Sequence, residues 1–466
     1  MKPTGRRLRR LAASGAAASC LALTAAACSG AGAGGGGGSS GGSSSGPVTL
    51  RVAIVANPQM QDVEHLTSVF EKQHPDIKVT YDTLPEDQLR SQVQKDIATN
   101  GGLFDVVMIS NYETPLWAKN GWLTDLSKTF IAKDPGYDAG DIIPPIAKSL
   151  SSGGDLYSVP FYGESSFLMY RKDLFAKAGL TMPQHPTWQQ VAALAQKLND
   201  PSHQVAGICL RGEPGWGENL APIDTVINAF GGSWYNSNWQ PQLTSPATTK
   251  AVNFYVSLVR KYGEPGAASD GFTELLTNYT QGKCAMWYDA TSAAGDIQAA
   301  SAQIYKNTGF AWAPTTAANP KPSGWLYSWS LGIPKDTRHA QAAWTYVSWA
   351  TSKGYIKLVG SKLGWARVPP GSRESTYKLP QYQQAAGAFA GITLQSIEAA
   401  DPQHPTAGPV PYTGVQFVDI PQFEDLGTAV SQQLAGAITG SESVATALKN
   451  SQQAAAPVGR QNKTSG

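Results

Sequence analysis

Apolar residues recur along the chain with two different periods, and each change of period marks a boundary between predicted elements. Residues 48–56 (VTLRVAIVA) are almost continuously apolar, which predicts a buried strand. The next segment, QDVEHLTSVFEKQHP, places Val63, Leu66 and Phe70 on one face. That spacing predicts an amphipathic helix, which should stop near Pro75.

Predicted strands and helices continue to alternate through about the next 35 residues. DIKVTYD predicts a second strand, and EDQLRSQVQKDIAT places Leu89, Val93 and Ile97 on one face of a second helix. Residues 104–110 (FDVVMIS) predict a third, nearly continuous apolar strand. An order of β-α-β-α-β is typical of a parallel sheet with helices on both faces.

Polar residues follow the first and third predicted strands. Asn57 comes after the first strand, and Asn111, Tyr112 and Glu113 come after the third. Ligands of open parallel sheets bind beyond the carboxyl ends of the strands. These residues are therefore candidates for a binding site, although turn formation alone also explains Asn and Pro at such positions.

The second half of the chain predicts another α/β unit. YSVPFYGESSFLMY is a strand-like run interrupted by Pro160 and by residues 162–164, and VAGICLRG predicts a strand ending at Arg211. Helical patterns occupy TWQQVAALAQKLND, TTKAVNFYVSLVRKYG and AQAAWTYVSWATS, while CAMWYDA and GWLYSWSLGIPK are strand-like. The tail predicts two helices broken at Gly440.

The N-terminus has the pattern of an export signal. Five basic residues and no acid precede an alanine-rich apolar run, which is too short and too weakly apolar to predict a membrane-spanning helix. LTAAAC, ending at Cys28, resembles a bacterial lipobox with an alanine where leucine is usual; Cys20 is the alternative. The paired arginines leave export through the twin-arginine route open. Residues 28–47 are rich in glycine and serine, which predicts a flexible tether.

Charge and cysteine content exclude several functions. The full chain has a formal charge of +2, and removal of the five basic leader residues leaves −3, which argues against nucleic-acid binding. The scattered histidines and the lack of C-x-x-C predict no metal site. Two cysteines remain, Cys209 and Cys284, and they are compatible with a disulfide or with two buried thiols.

An ordered set of segments resembles a known family. VTLRVAIVANP, LFDVVMIS, LYSVPFYGESSFLMYRKDLFAKAGL, TWQQVAALAQKL, YTQGKCAMWYDAT and SWSLGIPK follow one another. Together they resemble the extracellular sugar-binding proteins of bacterial ABC importers, the group that includes maltose-binding protein. GICLRGEPGWGENLAP and MWYDATSAAG resemble the branch that binds sugar alcohols such as sorbitol and mannitol. The likeness covers the chain from about Val48 to its end.

The resemblance implies an α/β, two-lobed periplasmic-binding-protein fold of type II, with a ligand cleft between lobes joined by crossover strands. The crossovers are expected near residues 160–164, 327–333 and 369. Residues 1–27 would be the signal peptide and 28–47 the tether. Residues 48–162 and 332–369 would form lobe I, and residues 163–331 and 370–460 would form lobe II.

The resemblance also implies a role. The protein would be an exported monomer, anchored to the outer face of the cell membrane through a lipid on Cys28. It would capture a sugar or polyol and deliver it to ABC permease subunits in the membrane. No cofactor, metal or nucleic acid is expected, and the lack of a Walker A pattern excludes ATP hydrolysis by this chain.

Polyols have C–H faces that stack on aromatic rings and hydroxyls that need charged or amide partners. Trp287 is expected to stack on the ligand and Asp289 to accept hydrogen bonds, the alternatives being a core tryptophan and a helix cap. Glu164 matches a ligand-contacting position of the family, or else forms a hinge ion pair. Arg211 could donate a bidentate fork to two hydroxyls, or lie in a surface ion pair.

Further aromatic and polar candidates lie in loops and near the crossovers. The segment GWGEN holds three of them in a glycine-rich loop, where cleft and core positions are both plausible for the tryptophan. Of the two tryptophans beside a crossover, Trp329 is favoured over Trp325. The complete predicted ligand-binding set is Asn57, Tyr112, Tyr162, Glu164, Arg211, Trp216, Glu218, Asn219, Trp287, Asp289, Trp329, Trp365 and Arg367.

Two other functions remain as alternatives. A secreted glycosidase would need two carboxylates across a glycosidic bond, and nothing in the sequence selects a pair such as Glu164 and Asp289. A binding protein for an oligosaccharide, a peptide or an ion would share the fold, although the abundance of tryptophan favours carbohydrate. A structural role would predict internal repeats, and the sequence contains none that we detect.

Overall fold

The computed structural model describes residues 46–317 and 324–465 of the 466-residue chain. The predicted signal peptide, Cys28 and the tether up to residue 45 lie outside the described residues. The strands are β1 (Val48–Val55), β2 (Ile77–Leu84), β3 (Val106–Ser110), β4 (Ser151–Ser152), β5 (Asp155–Leu156), β6 (Ser158–Glu164), β7 (Ser166–Arg171), β8 (Met286–Ala290), β9 (Thr308–Trp312) and β10 (Tyr327–Gly332).

The α-helices of the described residues surround these strands. They are α1 (Pro58–Gln73), α2 (Glu86–Ala98), α3 (Glu113–Lys119), α4 (Leu126–Thr129), α5 (Pro144–Ser149), α6 (Lys172–Lys177), α7 (Trp188–Leu198), α8 (Leu220–Ala229), α9 (Pro246–Tyr262), α10 (Phe272–Thr280), α11 (Ala293–Ala300), α12 (Ala302–Asn307), α13 (Ala340–Ala350), α14 (Lys353–Lys362), α15 (Pro380–Ala386), α16 (Ala390–Ala399), α17 (Phe423–Thr439) and α18 (Val444–Ser465). Within the described ranges, no helix is both long enough and apolar enough to cross a bilayer.

The first sheet has five strands in the order β2-β1-β3-β10-β6. Strands β1, β2 and β3 are parallel, as the alternation of the sequence predicts. Strand β10 runs antiparallel to β3 on one side and to β6 on the other, so Trp329 lies opposite both Ser110 and Tyr162. The sheet is therefore mixed, and β10, which lies between β3 and β6, comes from a distant part of the sequence.

The second sheet has three antiparallel strands in the order β8-β7-β9. Only Ser165 separates β6 in the first sheet from β7 in the second, so the long strand-like run passes from one sheet to the other at this residue. Tyr327 at the start of β10 pairs with Glu164 at the end of β6. The amide of Gly163 donates to the carbonyl of Pro370 (2.9 Å), which places the chain near the third expected crossover beside β6. The lobe boundaries themselves stay predictions.

The strand predicted for VAGICLRG is wrong. The segment makes only isolated bridges: Val205 to Asp200 is antiparallel, and Ala206 to Cys284 and Cys209 to Trp287 are parallel. The amide between them, that of Ile208, donates instead to the carbonyl of Tyr262 (3.2 Å), so the ladder beside β8 is interrupted. A disulfide between Cys209 and Cys284 joins this segment to the residues just before β8.

Local sequence explains several helix ends. Thr187 forms a capping box with Gln190 at the start of α7, which confirms the predicted N-cap. Helix α17 ends at Gly440, whose φ of 81° is a left-handed conformation that favours glycine, so the predicted break between the tail helices is also confirmed. The second tail helix, α18, runs from Val444 to Ser465.

Candidate functional site

A cavity of about 450 Å³ lies beyond the carboxyl ends of β1 and β6, where loops from the second half of the chain face the first sheet. Its volume falls in the usual range for small-molecule sites. The predicted site residues that line it are Asn57, Tyr162, Glu164, Arg211, Trp216, Glu218 and Trp329. The predicted residues that do not line it are Tyr112, Asn219, Trp287, Asp289, Trp365 and Arg367.

Asn57 and Tyr162 form one wall of the cavity. The Asn57 side chain accepts a hydrogen bond from the amide of Met60 (2.9 Å) and so caps α1. Its Nδ2 donates to the hydroxyl of Tyr162 (2.9 Å). Asn57 therefore both begins a helix and orients a tyrosine toward the cavity, which explains why asparagine follows the first strand.

Glu164 ends β6 and is buried at the cavity wall, 6% exposed. Ser292 Oγ donates to its Oε2 (2.6 Å). Burial raises the pKa of Glu164 to about 8, and the Ser292 hydrogen bond and the positive charge of Arg211 oppose this effect only in part. A protonated carboxyl at this position can both donate to and accept from a ligand hydroxyl.

Arg211 lines the cavity and is held by Asp289. Its Nε and Nη2 donate to the two carboxylate oxygens of Asp289 (2.9 and 2.6 Å), and its Nη1 donates to the carbonyl of Gly217 (2.9 Å) and to Glu218 (3.3 Å). Among the described residues these bonds take four of its five N–H donors. The remaining donor is on Nη2, and a ligand in the cavity can accept from it.

Trp287 and Asp289 do not have the direct roles that the sequence suggested. Both are 0% exposed, and neither lines the cavity. The Trp287 indole packs near Phe272 and Tyr279, and its Nε1 donates to Asp289 (3.0 Å). The strand alternates so that these side chains face the interior of the second sheet's lobe, where they position Arg211. The expected contacts of Trp287 and Asp289 with ligand are therefore replaced by a supporting role.

Arg90, on α2, was not among the predicted residues, yet it organises two aromatic walls. Its guanidinium carbon lies 4.1 Å from the ring centroid of Trp216 and 4.7 Å from that of Trp329. Glu86 (2.7 Å) and Glu113 balance its charge. Through these cation–π contacts Arg90 connects α2 to the glycine-rich loop and fixes the orientation of both indoles.

Tyr112 and Asn219 are buried next to residues that line the cavity. The Tyr112 ring packs against Trp216 with centroids 5.0 Å apart, and its hydroxyl donates to the carbonyl of Ile420 (3.0 Å). Asn219 is 0% exposed and donates to the carbonyls of Gly212 (3.1 Å) and Ser431. The Tyr112 hydroxyl and the Asn219 amide nitrogen are thus bonded within the protein, and neither residue lines the cavity as expected.

Trp365 and Arg367 lie outside the cavity lining. They belong to a short 3₁₀ helix that contacts α11. Arg367 Nε donates to Asp62 on α1 (3.0 Å), and its Nη2 pairs with the same carboxylate. The structure therefore places this segment at an outer contact between α1 and α11 instead of at an aromatic wall of the cavity.

Most of the acidic residues that line the cavity were not predicted from the sequence. Glu86 and Asp87 begin α2 directly after β2, and Glu213 and Glu274 lie in or beside the loops that face them. The rule that pointed to residues after the first and third strands also applies to PEDQ after the second strand, so this signal was available. Gln416 lies in a long irregular segment, where no periodicity marks it.

Three polar atoms of lining residues have no hydrogen-bond partner among the described residues. They are the indole Nε1 of Trp216, the indole Nε1 of Trp325 and the Oε1 of Gln416. All three side chains are 2% exposed. A buried polar group without a partner costs free energy, so the cavity is suited to a ligand that offers both hydrogen-bond donors and acceptors.

The chemistry of the cavity is that of binding. Within residues 46–317 and 324–465, no group of three or more histidine, cysteine or acidic side chains is placed to hold a metal ion. Carboxyl groups, one guanidinium and aromatic rings line this space. This set can bind a neutral molecule that is rich in hydroxyl groups.

Comparison with known proteins agrees with this geometry. A family profile described as bacterial extracellular solute-binding protein matches residues 49–357. The mannitol-binding protein of Pseudomonas aeruginosa is 45% identical over 412 residues, which are 88% of this chain and 93% of that protein. An ABC transporter solute-binding protein of Agrobacterium vitis S4, solved with bound D-mannitol, is 47% identical with a TM-score of 0.86, and the match covers 90% of this chain and 99% of that one.

A more distant structure shows the fold alone. Maltose-bound MalE3 of T. maritima is 20% identical with a TM-score of 0.74, over 87% of this chain and 98% of that one. These neighbours have the two-lobed type II fold, so the predicted fold class is confirmed. The matched proteins are binding proteins, which confirms that the chain is not an enzyme. The chain belongs to the family of bacterial extracellular solute-binding proteins.

Proposed function

We propose that this protein is the substrate-binding component of an ABC importer for a hexitol, D-mannitol above all. It would capture the polyol in the cavity between its lobes, close around it and deliver it to the permease subunits. The observation that carries the proposal is the similarity to the D-mannitol-bound protein of Agrobacterium vitis S4, which extends over 90% of this chain at 47% identity. The mannitol-binding relative in Pseudomonas aeruginosa supports the same ligand.

The lining of the cavity supports a polyol for independent chemical reasons. The hydroxyls of a polyol can donate to Gln416 Oε1 and accept from the indole N–H groups of Trp216 and Trp325, which have no partner among the described residues. Glu164 and Arg211 supply an acceptor and a charged donor. The C–H faces of the carbon chain can pack on the Trp216 and Trp329 rings.

In this proposal the predicted residues divide into two groups. Asn57, Tyr162, Glu164, Arg211, Trp216, Glu218 and Trp329 line the cavity and contact the ligand. Trp287, Asp289, Tyr112 and Asn219 orient those residues. Trp365 and Arg367 belong to lobe I, where Arg367 pairs with Asp62, and their 3₁₀ helix contacts α11 of lobe II, a contact that opening of the lobes would break.

The remaining parts of the role follow from the leader and the family. Cleavage before Cys28 and lipidation of its thiol would anchor the protein to the outer face of the membrane, with residues 28–47 as the tether. Lobe I would comprise 48–162 and 332–369, and lobe II would comprise 163–331 and 370–460. The protein would act as a monomer and dock on the permease after closing. Mass spectrometry of the mature protein would test the anchor: a diacylglycerol on Cys28 is expected, and a free N-terminus elsewhere would contradict it.

Calorimetric titration of the purified protein tests the ligand. We expect saturable one-to-one binding of D-mannitol, weaker binding of sorbitol, and no binding of glucose or maltose. Binding of maltose alone would keep the family and refute the hexitol assignment. Hydrolysis of a nitrophenyl glycoside would support the glycosidase alternative, and we expect none. Glu398→Gln, an exposed change on α16 outside the lining, serves as the folded control.

A further inference from the structure

We infer that the cavity binds a polyol bearing a terminal ammonium group more tightly than the neutral polyol, and that it rejects the corresponding sugar acid. The inference deepens the proposed function and rests on it. It concerns the charge that the cavity selects, which the polyol assignment by itself does not determine.

Carboxylates dominate the charged lining. Among the residues that the structure describes, the acidic ones that line the cavity are Glu86, Asp87, Glu164, Glu213, Glu218 and Glu274, and the only lining residue with a fixed positive charge is Arg211. They come from separate elements: α2 contributes two, β6 contributes one, the glycine-rich loop contributes two, and α10 contributes one. The excess of acid is thus a property of the assembled cavity and not of one segment.

The nearby positive charges already have partners. Asp289 holds Arg211 bidentately, and Glu86 and Glu113 pair with Arg90. Among the described residues, no lysine, arginine or histidine forms an ion pair with Asp87, Glu213 or Glu274. These three side chains therefore have no cationic partner among the described residues, and a cationic group of the ligand can pair with them.

The acidic groups are also crowded. A Cβ added to Gly271 would collide with the carboxylates of Glu213 and Glu218, and a Cβ added to Gly217 would collide with that of Glu86. Glycine at both positions allows this close approach of backbone and acid. Burial, together with the negative charges of Glu274, Asp87 and Glu86, raises the pKa of Glu213 to about 7. A cation placed among these groups would relieve their mutual repulsion.

A neutral acceptor at the same cavity adds to this preference. Gln416 lines the cavity, is 2% exposed, and its Oε1 has no partner among the described residues. A hydrogen-bond donor of the ligand that reaches this oxygen would satisfy it. An ammonium group brings three donors and no acceptor, whereas a carboxylate brings acceptors only. The ammonium group therefore complements the cavity, whereas the carboxylate would lie among groups of like charge.

Three ligands that differ only at one end of the carbon chain test the inference. They are D-mannitol, its analogue with one terminal hydroxyl replaced by an amino group, and D-mannonate. Dissociation constants would be measured by calorimetry on the full chain at neutral pH, with EDTA present. We expect the amino compound to bind about tenfold more tightly than D-mannitol, and D-mannonate to bind at least about tenfold more weakly.

A matched pair of variants assigns the preference to the cavity. Glu213→Gln removes one unpaired acid at nearly constant volume. We expect it to reduce the ratio of the dissociation constant for D-mannitol to that for the amino compound at least about threefold. Glu398→Gln removes an exposed acid on α16 and should leave this ratio unchanged. A ratio that falls equally in both variants would overturn the assignment.

The outcomes separate the inference from the proposed function. Tight binding of D-mannitol with equal or weaker binding of the amine would overturn the inference and keep the hexitol function. Binding of the amine without D-mannitol would keep the inference and overturn the neutral-polyol function. Binding of neither compound would overturn both.

Discussion

Replacing Asp289 with alanine removes the counter-ion of a buried guanidinium. Asp289 is 0% exposed and Arg211 is 6% exposed, and two hydrogen bonds of 2.9 and 2.6 Å join them. Trp287 Nε1 donates to the same carboxylate (3.0 Å). The substitution therefore leaves both a charged group and an indole N–H without their acceptor in the interior of the protein.

The expected cost follows from these contacts. Removing one partner of a buried ion pair typically costs about 3–5 kcal/mol, since the other charge stays buried. The unsatisfied indole N–H adds about 1–3 kcal/mol. Glu218, 3.3 Å from Arg211 Nη1, partly compensates the guanidinium. We therefore expect Asp289→Ala to lower the free energy of unfolding by about 3–5 kcal/mol.

Urea unfolding followed by circular dichroism measures this loss, and Asp82→Ala is its matched control. Asp82 also accepts from an arginine, Arg51, with distances of 2.8 and 2.7 Å. That pair is exposed, with side-chain exposures of 45% for Arg51 and 27% for Asp82. Its loss should cost about 0–1 kcal/mol. If Asp289→Ala costs no more than this control, the argument that burial makes Asp289 structural is refuted.

Three further predictions concern the cavity wall, a buried acid and the disulfide. Trp329→Ala should weaken D-mannitol binding at least about tenfold by calorimetry, since it removes an aromatic wall; an unchanged constant would exclude Trp329 from the site. The pKa of Glu164 is raised from 4.5 to about 8, so between these values the native state keeps a proton that the unfolded state has lost. Its contribution to stability is therefore lost as pH rises through this window. Glu164→Gln should flatten the pH dependence of the free energy of unfolding, measured in urea, between pH 5 and 8. The same pH dependence in the variant and in the unmodified protein would contradict the raised pKa of Glu164. The double variant Cys209→Ser with Cys284→Ser should lose about 4 kcal/mol, since the bridge closes a loop with a sequence separation of 75; unchanged urea midpoints with and without reductant would show that no bridge forms.

The sequence predicted the parts of the fold that depend on periodic patterns. Helices α1, α2 and α7 and strands β1 and β3 lie where the apolar spacing indicates, because one face of each is buried. The segment VAGICLRG (205–212) was predicted as a strand because it is largely apolar. Its amides bond instead to two different elements, and the position of those elements depends on tertiary packing that no local pattern encodes.

The candidate site was predictable only in part. Glu164 could be named because it matches a ligand-contacting position of the family, and Arg211 because it ends an apolar run. Asp289 could be identified as a polar residue in a buried strand, but not as a partner of Arg211, which lies 78 positions away. The role of Arg90 was hidden, because a cation between Trp216 and Trp329 arises only when three distant segments meet. Long-range pairing of this kind decides which polar residues face the ligand and which support it.

The structure of the complex with D-mannitol would test the central claim most directly. We predict one molecule of D-mannitol in the cavity between the lobes, with its hydroxyls within hydrogen-bond distance of Glu164, Arg211 and Gln416 and its carbon chain against Trp216 or Trp329. A ligand bound elsewhere, or an empty cavity at saturating D-mannitol, would contradict the account.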